Sequence, residues 1–145
     1  MAVNTTPVYA GVAFGNIIEV LAANIGTEID LFPVDALYDR RIDSLTVATD
    51  DTAAPLLMLW LSDGTNDKML TNIPVAVAAG QAALGAMPPC NVLGHTNMSG
   101  ITQSDSAGNK FMIIPRGCTL RATFTTMTAA KKAWIQVRGW KFADA

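Results

Sequence analysis

The sequence predicts an all-β chain folded as an antiparallel β-sandwich. Three observations carry this. Cys118, Leu120, Ala122 and Phe124 alternate with Thr119, Arg121 and Thr123, the period of two that marks a strand with one buried and one wet face. Asp63-Gly64 separates two apolar segments and is a hairpin signal. From Phe111 to Phe142 helical periodicity is almost absent, and that segment reads as strands with one long hairpin.

Met1 to Gly15 is small, polar and Gly-rich and reads as an extended N-terminal arm, with residues 16–145 as a single sandwich domain. Asn16 to Asn24 fits a helix or a strand by periodicity, and the flanking Gly15 and Gly26 favour the strand. Glu28 to Val34 is a second short strand, ended by Pro33. Arg41 to Thr49 is a third, with Leu45 and Val47 on one face and Ser44 and Thr46 on the other. Pro55 to Leu61 is apolar on both faces: Leu57, Leu59 and Leu61 point one way, Leu56, Met58 and Trp60 the other. In a two-layer sandwich only one side meets the core, so the second side must meet a loop or another subunit. Asp67 to Val75 is its antiparallel partner.

Residues 76–109 form one long loop rich in Ala, Gly and Pro. It exceeds the usual limit of about 12–15 residues for a structureless connection and is expected to carry function. Phe111–Ile114 is a short apolar run, Pro115-Arg116-Gly117 a turn, and Ala133–Phe142 the last strand. On that strand Trp134, Gln136, Arg138 and Trp140 share one face and Ala133, Ile135 and Val137 the other. The periodicity leaves open which face is inward. About eight strands in two sheets, with one long crossover, fit a jelly roll best; another β-sandwich is the alternative.

A chain of 145 residues is one domain by default. Hydrophobic residues make up 50% and charged residues 15%, against a usual charged share of about 25%. The apolar excess implies a substantial partner interface. The net charge of -2 and the absence of any basic run beyond Arg40-Arg41 and Lys131-Lys132 argue against nucleic acid. The longest strongly apolar run, Ala53–Leu61, falls well short of the ~20 residues of a membrane helix, so no membrane partner is expected. No signal-peptide pattern stands at the start. Cys90 and Cys118 match no metal spacing and are expected as two reduced thiols, Cys118 on the buried strand face.

Catalytic chemistry has little to stand on. His95 is the only histidine. A triad would need Ser99 or Ser104 as nucleophile, and nothing resembles a nucleophile elbow. A cupin-type metal site needs several histidines. Oxygen-only calcium binding by Asp63, Asn66 and Asp67 competes with ordinary hairpin chemistry, and Asp50-Asp51 reads the same way. Phosphate-loop and dinucleotide fingerprints are absent. The chain is therefore expected not to be an enzyme, and no cofactor or metal is expected. Trp134 and Trp140 have three readings: core, protein-interface anchors, or a sugar platform.

Several short pieces then carry a resemblance. They are Arg41-Ile42-Asp43-Ser44-Leu45-Thr46-Val47, Leu61-Ser62-Asp63-Gly64, Ile73-Pro74-Val75, and Ile114-Pro115-Arg116-Gly117-Cys118-Thr119-Leu120-Arg121-Ala122. In this order, over roughly residues 41–142, the chain resembles the small jelly-roll cement or decoration proteins encoded beside capsid genes in tailed bacteriophages. The resemblance implies a structural protein made in the bacterial host cytoplasm. It would sit on the capsid exterior of the virion and bridge subunits of the major capsid protein as a homo-oligomer, dimer or trimer. The alternative is a tail fibre or spike module that binds host glycans through Trp134 and Trp140. Residues expected in capsid or oligomer contacts are Val3, Val8, Tyr9, Val12 and Phe14 in the arm, Met58 and Trp60 on the two-faced strand, Leu84, Met87, Val92 and Met98 in the loop, and Trp134 and Trp140.

Overall fold

The computed structural model describes residues 11–81 and 88–142. The strands are β1 (Val12–Leu21), β2 (Ile29–Asp30), β3 (Asp39–Thr49), β4 (Leu56–Ser62), β5 (Asp67–Pro74), β6 (Cys90–Asn91), β7 (Gln103–Ser104), β8 (Lys110–Ile114), β9 (Thr119–Phe124) and β10 (Lys132–Phe142). They form two antiparallel sheets. The first runs β1-β10-β3-β8-β7, with β6 also on β3; the second runs β2-β9-β4-β5.

The topology follows from one rolled ribbon. β1 lies beside β10, β2 beside β9, β3 beside β8 and β4 beside β5. Rolling brings β10 against β3 and β9 against β4. This is a jelly roll of eight main strands, as the sequence predicts.

Alternation sets the core. Leu45 and Val47 of β3 and Ala133, Ile135 and Val137 of β10 face Leu57 and Leu59 of β4 and Leu120, Ala122 and Phe124 of β9, and all are buried. Each large aliphatic side chain so enclosed contributes about 1.5–3 kcal/mol. The β4–β5 hairpin turns at Asp63-Gly64, where Gly64 takes φ +92° and Asp63 Oδ1 accepts from the Thr65 and Asn66 amides. Asp63 thus serves the turn.

Three expectations need correction, and the open choice of inward face on β10 is decided. β9 and β10 do not form a hairpin; they belong to opposite sheets and face one another across the core. Alternation marks a buried face without saying which strand lies alongside. Residues 12–15, expected in the arm, are instead part of β1 and pair with Gly139 to Lys141 and Arg138 of β10; residues 1–10 lie outside the described residues. The two tryptophans of β10 point away from the core, since Ala133, Ile135 and Val137 take the inward positions.

Finally, the long loop is not an outward excursion throughout. β6 takes the half of β3 that β8 leaves free, pairing Thr46 and Val47 while β8 pairs Arg40 to Ile42. Val75, Ala79, Val92, Leu93 and Met98 are buried in the core. Val92 and Met98 are therefore core residues rather than partner contacts: Val92 follows β6, its amide donating to the Leu45 carbonyl of β3, and Met98 sits in the 3-10 turn against β5, both fully enclosed. The short 3-10 turn Thr96–Met98 is held to β5 by Thr71 Oγ1 donating to the Asn97 carbonyl at 3.0 Å and Asn97 Nδ2 donating to the Asn72 carbonyl at 2.9 Å.

Candidate functional site

The outer face of the first sheet is the candidate, and a bulge builds it. Opposite Arg138 and Gly139 of β10, β3 carries one extra residue: Arg138 pairs Ser44 and Gly139 pairs Ile42, leaving Asp43 between them. Such an insertion re-aims side chains. Here Asp43 turns out beside Arg41, and its Oδ1 accepts from Arg41 Nε at 2.7 Å. The close approach dictates glycine at 139, because a Cβ there would stand 1.9 Å from the Arg41 carbonyl oxygen.

Arg41 is fixed further. Its guanidinium lies 4.1 Å from the centre of the Phe111 ring, a cation–π contact, and 3.7 Å from Asp105 Oδ2. Amides of the 105–109 turn, first that of Asn109, outweigh the opposing effect of burial and hold the Asp105 carboxyl below its ordinary value, with Arg41 adding to this. Around this group opens a groove of about 610 Å³ lined by Gly11, Arg41, Asp43, Gln103, Phe111, Ile113, Trp140 and Phe142. Trp140 is 48% exposed and stands on its rim. A shallower groove of about 440 Å³ on the other side of Trp140 shares Asp43 with the first.

The other end of this face is less free. Trp134 Nε1 donates to Glu19 Oε2 at 3.2 Å, and Glu19 Oε1 lies 3.5 Å from Lys132 Nζ. The two tryptophans, six residues apart on one strand, stand about 20 Å from each other, so they do not make one platform.

The other expected contact residues fall elsewhere. Val12 is exposed at the start of β1. Phe14 turns inward instead: it meets Phe32 edge-to-face at 5.5 Å and lies under the buried Arg40 guanidinium. It is a packing residue rather than an arm contact. Met58 and Trp60 are half-buried on the outer face of the second sheet, beside Asn72 and Thr123 and beside Met69 and Arg121 respectively. Val3, Val8, Tyr9, Leu84 and Met87 lie outside the described residues.

Sequence reasoning missed Arg41, Asp43, Gln103, Phe111, Ile113 and the exposed Ile17. A signal existed for Phe111 and Ile113. Phe111–Ile114 is apolar on both faces, the same feature that singled out Pro55–Leu61. The bulge that gathers Arg41, Asp43 and Trp140 left no signal except Gly139 inside a strand.

The acidic pairs are put to structural use. Asp50 Oδ1 accepts from the Lys132 amide and the buried Asp51 from the Ala53 and Thr128 amides. His95 Nδ1 accepts from the Asn97 amide at the head of the 3-10 turn. Ser104 Oγ bonds Lys110 Nζ. Among the described residues no three His, Cys, Asp or Glu side chains form a metal-binding group. Cys90 and Cys118 are both free and half-buried, and burial pushes the Cys90 thiol pKa up. No helix among the described residues is long and apolar enough to cross a membrane.

No family model matches this chain, and no curated protein matches it. Among solved structures, similar chains include two that are each a pentameric capsid protein isolated from metagenomic phage sequences. One is 15% identical, with a TM-score of 0.34 over 89% of this chain and 59% of that one. The other is 15% identical, with a TM-score of 0.33 over 89% of this chain and 61% of that one. The chain thus spans about three fifths of their length. At this distance the likeness bears on neither mechanism nor role.

Proposed function

We propose that this chain is a structural virion protein, a cement or decoration protein. It binds the outside of a tailed-phage capsid and bridges subunits of the major capsid protein as a homo-oligomer. The observation that carries the reading is the outer face of the first sheet. Trp140 and Ile113 are exposed there at a groove whose Arg41 is already paired with carboxylates, and Ile17 is exposed farther along the same face, opposite Gln136. An exposed tryptophan beside a fixed arginine is the composition of an interface anchor. Many symmetry-related copies on a shell multiply a modest contact by avidity. The low charge noted above limits repulsion between neighbouring copies.

The test is co-sedimentation of the purified protein with capsids of its own phage that lack it. Saturable binding at a fixed ratio to the major capsid protein is expected, weakened at least tenfold by Trp140→Ala. Absence of binding by a folded wild-type protein overturns the reading.

A second reading rests on the same groove. An indole rim with an amide, a carboxylate and a guanidinium suits the faces and hydroxyls of a sugar, as in a tail fibre or spike module that reads host glycans. It predicts that a host polysaccharide quenches Trp140 fluorescence, a signal lost in Trp140→Phe; silence across a glycan panel counts against it.

A further inference from the structure

Among the described residues the two sheets end in five edge strands, and an unpaired edge is a template for another strand. Four of the five are guarded. β2, β6 and β7 are two residues long. β5 carries Asp67, Lys68 and Pro74, and its flank is covered by the 3-10 turn through Thr71, Asn72 and Asn97. β1 is different. It is ten residues long, VAFGNIIEVL, with no proline, lysine or arginine. Among the described residues it pairs only with β10, residue for residue without a bulge.

The polar side chains of β1 do not guard its edge either. Glu19, its one charge, is drawn back over its own sheet by Trp134 and Lys132. Asn16 is turned to the opposite sheet, where its Nδ2 donates to the Leu31 carbonyl at 3.0 Å. What remains along the edge is backbone and apolar side chains: Val12 is 64% and Ile17 67% exposed, and Leu21 is exposed as well.

We propose that the β1 edge pairs antiparallel with the β1 edge of a second copy, joining two first sheets into one continuous sheet about a two-fold axis. Opposite residues must share a face. The register that centres the outward apolar residues places Ile17 against Ile17 on the axis. Ala13 then faces Leu21, Gly15 faces Glu19, and Phe14 faces Val20. Neither acid meets its counterpart, and no like charges stand opposite one another. The interface is isologous and closes with two copies. It deepens the homo-oligomer part of the proposed function but does not depend on capsid binding.

The test is oligomeric state by sedimentation velocity across a concentration series. The wild type is expected to be a dimer, and Ile17→Lys, which sets two ammonium groups together on the axis, a folded monomer by far-UV circular dichroism. Register is read by cross-linking with Cys90→Ser and Cys118→Ser as background. Under mild oxidation Ile17→Cys is expected to link to itself, and Ala13→Cys to link to Leu21→Cys when the two are mixed. A wild-type monomer at all concentrations, a trimer or pentamer, or a dimer that survives Ile17→Lys without these cross-links overturns the proposal. If Ile17→Lys does not fold, the cross-links alone decide. A wild type that is monomeric yet binds capsids would sink this inference and leave the cement reading standing; a wild-type dimer with these cross-links that binds no capsid would do the opposite.

Discussion

On the outer face of the second sheet, Arg121 is gripped by three acids. Its Nε lies 2.6 Å from Asp30 Oδ1, and its Nη1 lies 3.1 Å from Asp67 Oδ1 and 3.6 Å from Glu28 Oε2. On the outer face of the first sheet, Arg41 is also held by two acids, yet Trp140 and Ile113 stand exposed beside it and Ile17 farther along the face. Both inner faces are alike, aliphatic and closed. The difference teaches where a partner has something to gain. The second face satisfies its arginine with its own acids and keeps Met58 and Trp60 half-covered, with Met69 exposed on its edge strand. The first leaves aromatic and aliphatic surface whose burial needs another molecule.

Four changes break or sharpen this contrast, in order of expected size. Gly139→Val drives a side chain into the Arg41 carbonyl. It should cost about 3 kcal/mol or more, seen as a lower urea midpoint, and should abolish partner binding with the bulge. Gly15→Ala on the neighbouring strand, where a Cβ meets Arg138 Cγ at 3.4 Å and the Val137 carbonyl oxygen at 3.6 Å, both ordinary contacts, should shift the midpoint little. The second change is Leu59→Ala, which empties a buried core position and should cost about 2–5 kcal/mol. Met58→Ala, half-buried one residue away, should cost clearly less in the same melts.

The third is acid. Asp105 on the first face, held chiefly by the Asn109 amide, and Asp67 on the second, held chiefly by its bond to Glu28, both have carboxyl pKa values below the ordinary range. Their stabilisation is present above the unfolded value of about 3.9 and is lost as pH falls through the lower folded values. Glu28 has the opposite sign. Its bond to Asp67 raises its pKa, so its contribution is full at low pH and is lost as pH rises through the raised value. Glu28→Ala, which removes the chief cause of the Asp67 shift together with Glu28's own, should flatten the second-face part of the pH–stability curve, leaving the Asp105 part in place. The smallest stability effect belongs to Trp140→Ala: a melting temperature within error of wild type, with weakened capsid binding as its readout. A large loss of stability there would make Trp140 a packing residue and erase the contrast.

By itself the sequence determined the strands and most of their faces. Leu45 and Val47, Leu57 and Leu59, and Leu120, Ala122 and Phe124 alternate as written and are buried as written. The reason is that a pleat repeats every two residues and needs no distant partner to be legible. The β4–β5 turn was legible as well, since Asp63-Gly64 acts within its own four residues. Only the tertiary structure decided which strands lie side by side, and hence that β9 and β10 part company. It also decided that Trp134 and Trp140 face out, because the smaller Ala133, Ile135 and Val137 fit between the sheets. It sent Val92 and Met98 into the core and gathered Arg41, Asp43, Phe111 and Trp140 from three strands around one groove. Pairing, closure and bulges join residues far apart in the chain, and a local period carries no record of who meets whom.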